Sequence, residues 1–147
     1  MREEELFDAA FAGDAEKVKE ILDWCRRNHK SICVYWGNPK YSHATALHYA
    51  CLCKHTSVIS ILLQHPDILV NKKNDEGSTP FLMSCHFGAV DSVNMLLKDS
   101  RVAANEPDKD GHTPIWWAAK EGKIEVIRTW IASEREIYLG EPGNEKK

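Results

Sequence analysis

Five cysteines and seven histidines are the side chains of this sequence best suited to nucleophilic or metal chemistry. One grouping with metal-type ligands is Cys25-x3-His29-x3-Cys33, which offers two thiolates and an imidazole. Its spacing matches no structural zinc pattern, so a metal- or redox-responsive module is the weakest functional reading. Cys53 and His86 would make a thiol–imidazole pair only if the fold brought them together. Gly77-Ser78-Thr79 lacks the strand-to-helix setting of a phosphate loop. The sequence holds no Walker loop, no G-x-S-x-G, no H-E-x-x-H and no dinucleotide fingerprint. The expectation is therefore no enzymatic activity, no cofactor and no metal.

The chain has 147 residues, one domain's worth, with 43% hydrophobic and 28% charged residues and a net charge of −3. That composition supports a packed core and argues against a dedicated nucleic-acid binder, which carries a basic face. No apolar run approaches the roughly 20 residues of a membrane-spanning helix. The opening Met1-Arg2-Glu3-Glu4-Glu5 is acidic and does not read as a signal peptide. An odd number of cysteines then points to free thiols and a reducing compartment, cytoplasmic or nuclear. No nucleic acid and no membrane partner is expected, and the chain is expected to act as a monomer.

The elements that position these side chains follow from a repeat. Thr45-Ala46-Leu47-His48-Tyr49-Ala50, Thr79-Pro80-Phe81-Leu82-Met83-Ser84 and Thr113-Pro114-Ile115-Trp116-Trp117-Ala118 align with their threonines 34 residues apart. Gly88 and Gly122, Val93 and Ile127, and the pairs Leu62-Leu63, Leu96-Leu97 and Trp130-Ile131 keep the same register. An earlier copy places Ala9-Ala10, Gly13, Val18 and Ile21-Leu22 in these slots, offset by 41 residues rather than 34. Each unit reads as two short antiparallel helices. The threonine caps the first helix through its hydroxyl, proline follows at the first helical position, and glycine ends that helix in a left-handed conformation. The second helix carries a Val-x2-Leu-Leu-type stripe. Small residues recur at Ala10, Cys51, Cys85 and Ala119, so Cys51 and Cys85 are expected in the core.

This pattern resembles the ankyrin-repeat family, whose Thr-Pro-Leu-His-x-Ala signature is nearly met at Thr45 and partly met at Thr79 and Thr113. The resemblance covers about residues 3 to 133. It implies an all-α solenoid of stacked helix-turn-helix pairs with finger loops, with repeats at about 3–41, 42–75, 76–109 and 110–139. Residues 1–139 would form a single domain, followed by a disordered tail at 140–147. The sequence departs from the family at Ala46, where proline is usual, and at Lys54, where glycine is usual; a left-handed lysine costs about 1 kcal/mol or more. His48 is expected to hydrogen-bond within its own turn.

An insertion within Asp23–His43 replaces the short finger between the first two repeats. It reads as an elongated loop or extended helix packed by Trp24 and Trp36, or as a contact loop. The first repeat, rich in Glu and Lys, reads as a polar cap of the kind solenoid ends require. The last repeat does not: Ile124, Val126, Ile127, Trp130 and Ile131 are too apolar for a free end. The preferred explanation is that Glu136-Ile137-Tyr138-Leu139 folds back over it. A longer parent array or a covering partner would also account for it.

The family implies a protein-binding module, an adaptor or scaffold, contacting an unidentified partner protein through the inward face of the first helices and the finger tips. Carried onto this sequence, the inward positions are Phe11, Leu52, Cys53, His86, Phe87, Trp116, Lys120 and Glu121. The finger rim is Lys73, Asp75, Glu76, Ser78, Lys109, Asp110 and His112. The apolar members Phe11, Leu52 and Phe87 would face the ligand or pack against neighbouring fingers. The alternative is a non-catalytic targeting fragment of a larger ankyrin-repeat protein.

Overall fold

The computed structural model describes residues 2–139, so the disordered tail expected at 140–147 lies outside the described residues. Those residues hold eight α-helices: α1 (Arg2–Ala12), α2 (Ala15–Arg27), α3 (Ala46–Leu52), α4 (Thr56–Leu63), α5 (Pro80–Phe87), α6 (Val90–Leu97), α7 (Pro114–Lys120) and α8 (Ile124–Ser133). A 3-10 turn spans Pro39–Tyr41 in the insertion. The helices pack in two rows. α1, α3, α5 and α7 stack on one another in chain order, and α2, α4, α6 and α8 stack behind them.

The local chemistry explains the starts of α3, α5 and α7. The hydroxyls of Thr45, Thr79 and Thr113 accept from the backbone N–H three residues on, at His48, Leu82 and Trp116. Pro80 and Pro114 open α5 and α7 where no N–H is needed. α3, without proline, has a full capping box instead: Thr45 N–H donates to His48 Nδ1 at 3.0 Å. Lys54 occupies the left-handed slot with φ 60°, as the register predicts.

The core is the stripe the repeat predicts. Val18, Val58, Ile59, Leu62, Val93, Leu96, Val126 and Trp130 are fully buried. Each buried aliphatic contributes about 1.5–3 kcal/mol relative to exposure. Cys51 and Cys85 are buried between the inner helices, where burial pushes the Cys51 thiol up to about 12 and the Cys85 thiol well above its usual value.

The fingers stack as a hydrogen-bonded ladder. Asp75 N–H donates to Ser42 O at 2.8 Å, and Lys109 N–H to Glu76 O at 3.1 Å. Gly77 lies against the backbone of the next finger at Lys109. Its φ is 78°, and a Cβ there would meet Lys109 N at 2.5 Å.

The insertion begins as an extension of α2, which runs on to Arg27, and continues as a packed loop. Val34 is buried, the Cys33 N–H donates to Glu3 Oε1 at 3.2 Å, and Trp36 packs edge-on against Phe7. Trp24, by contrast, lies outside with the Arg2 guanidinium 4.3 Å above its ring.

The C-terminal tail corrects the sequence expectation. It does not fold back over α8, whose Ile124 and Ile131 are 59% and 63% exposed. It follows the course of the preceding loop instead, with the asparagine's partners slipped by one residue. Asn71 donates to Arg101 O and accepts from Ala103 N–H; Asn105, 34 residues later, donates to Glu136 O and accepts from Tyr138 N–H. Arg101 and Arg135 reach back in the same way to Leu63 O and Leu97 O, each at 2.8 Å. These short polar clasps hold the tail beside the preceding loop, which keeps it off the α8 face.

Candidate protein-binding surface

The inward ends of α3, α5 and α7 bring most of the expected contact residues onto one surface. Phe87 ends α5 and is 55% exposed. The His86 ring stacks on it at 4.3 Å and on Trp117 at 4.0 Å, which makes a continuous row of three aromatic planes. Trp117 is fixed from behind by its indole N–H, which donates to Asp108 Oδ2 at 2.8 Å. Trp116, 39% exposed, stands edge-on to Trp117 and stacks on His112 at 3.7 Å. The ammonium of Lys120 lies 5.8 Å from the Trp116 ring. Burial lowers the basicity of His86, with the neighbouring Glu121 carboxylate opposing that effect. A neutral ring suits a stacked position.

A second aromatic group lies at the other end. Phe11 is half-buried rather than open: it stacks on Tyr49 at 4.6 Å and meets Tyr41 edge-on at 5.5 Å. Tyr41 belongs to the insertion, so the insertion helps build this part of the surface. Leu52 and Cys53, both half-buried, end α3. Cys53 makes no hydrogen bond to His86; burial raises its thiol above the usual value, the reverse of what an activated nucleophile needs.

The rim is mostly ion-paired. His43 and Asp75 meet at 2.8 Å, Lys73 and Glu106 at 3.0 Å, and Lys109 and Glu76 at 3.8 Å. Asp110, Lys120 and Glu121 are exposed. Ser78 corrects the expectation for the rim. It is buried, its N–H donates to Asn74 Oδ1, and its carbonyl meets His48 Nε2 at 2.8 Å. Its backbone ties finger to helix.

Among the described residues, the one carboxylate–imidazole cluster with ligand-like proximity is Asp108, Asp110 and His112. The Asp108 oxygens are already engaged. Oδ1 accepts from the backbone of Asp110 and His112, and Oδ2 from Trp117. This is a turn-forming carboxylate. Among the described residues, Cys25, His29 and Cys33 do not converge into a ligand group.

A family model described as ankyrin repeats (3 copies) matches residues 6–102 and 67–139. The chain belongs to the ankyrin-repeat family. No curated protein matches the sequence. The aromatic surface lies along the row formed by α3, α5 and α7. Ankyrin repeats are in general protein–protein interaction modules. None of the described helices is long and apolar enough to cross a membrane.

Sequence reasoning missed Tyr49, Tyr41 and the anchoring of Trp117. Tyr49, Met83 and Trp117 form a column 34 residues apart, so the register could have revealed two of the three. Tyr41 lies in the insertion and has no counterpart in register.

Proposed function

We propose that this ankyrin-repeat protein is a non-catalytic adaptor whose residues 1–139 recognise a partner protein through the concave face. The observation that carries this reading is the aromatic row Phe87–His86–Trp117 with Trp116 beside it, held open to solvent by stacking and by the Asp108 bond. Exposed aromatics in fixed orientation are the residues that dominate protein interfaces. Because stacking fixes them before binding, little ordering entropy is lost on association. The ion-paired fingers supply a polar rim that resists dehydration less than isolated charges would. The five free cysteines fit a reducing compartment, cytoplasm or nucleus.

The test is affinity capture with mass spectrometry on the full chain beside Phe87→Ser and Trp116→Ser variants, each checked for folding by circular dichroism. The reading expects a protein retained by the wild type and lost by both variants. Retention unchanged in both variants refutes the concave face as the site.

A further inference from the structure

The row formed by α2, α4, α6 and α8 is uneven at its first step. α2 has 13 residues, whereas α4 and α6 have 8 each. The last turn of α2 and the segment after it face the end of α4 and its turn across a cleft of about 500 Å³. That volume lies within the range of small-molecule sites. The apolar part of its lining is Leu22, Cys25, Ile32, Ile61 and Pro66. Leu22, Ile32 and Ile61 are half-buried and packed against the core, so this surface is held in place from behind.

The α2 side of this cleft is basic. Lys19, Arg26 and Lys30 line it, with the exposed Ser31 beside them. Arg26 is already paired with Asp23 at 2.8 Å. Among the described residues, Lys19 and Lys30 have no carboxylate within ion-pairing distance. The remaining carboxylate of the lining, Asp67, belongs to the turn after α4 and leaves the α2 side to the cations. With histidine counted as neutral, three cations stand against two carboxylates, in a chain whose net charge is −3. Shape alone does not impose this sign. The groove between α6 and α8 carries Asp91 and Lys98, one charge of each kind. Arg26 and Lys30 belong to the basic run of the insertion, which the concave face does not use.

We propose that this cleft binds a small amphipathic anion, with its apolar body on Leu22, Ile32 and Ile61 and its carboxylate or phosphate head against Lys19 and Lys30. The two parts of the ligand are needed together. The apolar body gains from leaving water, and the head gains from two unpaired ammonium groups at the edge of that surface. A head group without a body meets only exposed lysines, which bind weakly on their own. A neutral ligand of the same length forgoes the charge. The site lies on α2, α4 and the insertion, so it stands whether or not the aromatic row of α5 and α7 binds a protein.

The experiment is a nuclear magnetic resonance titration of the isotope-labelled full chain with octanoate, octyl phosphate, octanol and acetate. Saturable shifts at the Leu22, Ile32 and Ile61 amides are expected with octanoate or octyl phosphate, at a Kd below about 1 mM. The tighter of the two identifies the head group. Octanol is expected to bind at least about fivefold more weakly, and acetate to give no saturable shift. The double variant Lys19→Gln, Lys30→Gln, at exposed positions, is expected to weaken anion binding about fivefold. Lys120→Gln on α7 is expected to leave it unchanged. Absence of saturable shifts with both anions overturns the proposal. So does octanol binding as tightly as octanoate, anion binding unaltered in the double variant, or shifts centred on α5 and α7. Circular dichroism checks the fold of each variant, and the octanol comparison needs the wild type alone.

Discussion

His48 Nε2 donates to the carbonyl of Ser78, 2.8 Å away, and so ties α3 to the base of the following finger. Its Nδ1 accepts from Thr45 N–H, which fixes the neutral tautomer with the proton on Nε2. Burial is the largest influence on this ring and pushes its pKa from 6.5 down to about 4, although the Ser78 bond acts in the opposite direction. As pH falls, the unfolded chain takes up a proton near 6.5, while the folded chain refuses it until about 4. Stability from this group is therefore complete above the higher value and is lost as pH falls through that window, by about 3 kcal/mol in all. Urea unfolding of wild type and His48→Gln should show a wild-type advantage at neutral pH that shrinks towards about pH 4.5. An advantage independent of pH contradicts this assignment.

Gly77 and Lys54 make opposite predictions from the same backbone conformation. Gly77→Ala forces a Cβ against the Lys109 backbone and should cost at least about 1–2 kcal/mol. Lys54→Gly relieves left-handed strain at φ 60° and should gain about 0.5–1 kcal/mol. Thermal melts of the two variants should shift in opposite directions.

Arg135 donates to Leu97 O, Asp99 O and Val102 O at the end of α6 and in its loop. Arg135→Ala should cost about 1–3 kcal/mol, the range for hydrogen bonds to a charged group. Hydrogen exchange should show the Tyr138 amide losing protection while the α3 amides keep theirs. Unchanged exchange at Tyr138 means the clasp does not hold the tail.

Thiol accessibility follows the packing. Cys25, Cys51 and Cys85 are buried, whereas Cys33 and Cys53 are half-exposed. A thiol-specific reagent should label two cysteines of the native protein and five only after unfolding. Native labelling at Cys51 or Cys85 contradicts the stacking of the inner helices.

Much of the fold was legible because the repeat states each decision more than once. Thr79 and Thr113 mark their helix starts with the same Thr-Pro step, and the left-handed slot holds even at Lys54, where the residue disfavours it. The insertion was less legible, since Tyr41 and Trp36 have no counterpart 34 residues away and their partners, Phe7 and Phe11, are known only from packing. Ser78 misled for a related reason. Its side chain looks like a rim residue, but its role is carried by backbone groups that every residue possesses. The tail was readable in principle from Asn71 and Asn105, though only after one of them is seen holding its loop. Of the binding surface, the register located Phe87 and Trp116, while stacking through His86 and the Asp108 anchor required coordinates.

The central claim is that the concave aromatic row recognises a partner protein. The most direct measurement is calorimetric titration of the captured partner into wild type and a Phe87→Ser, Trp116→Ser double variant of matched stability. The account predicts affinity at least about tenfold weaker in the variant, as expected for aromatic hot spots. Equal affinities would contradict it and move the interface to another face of the solenoid.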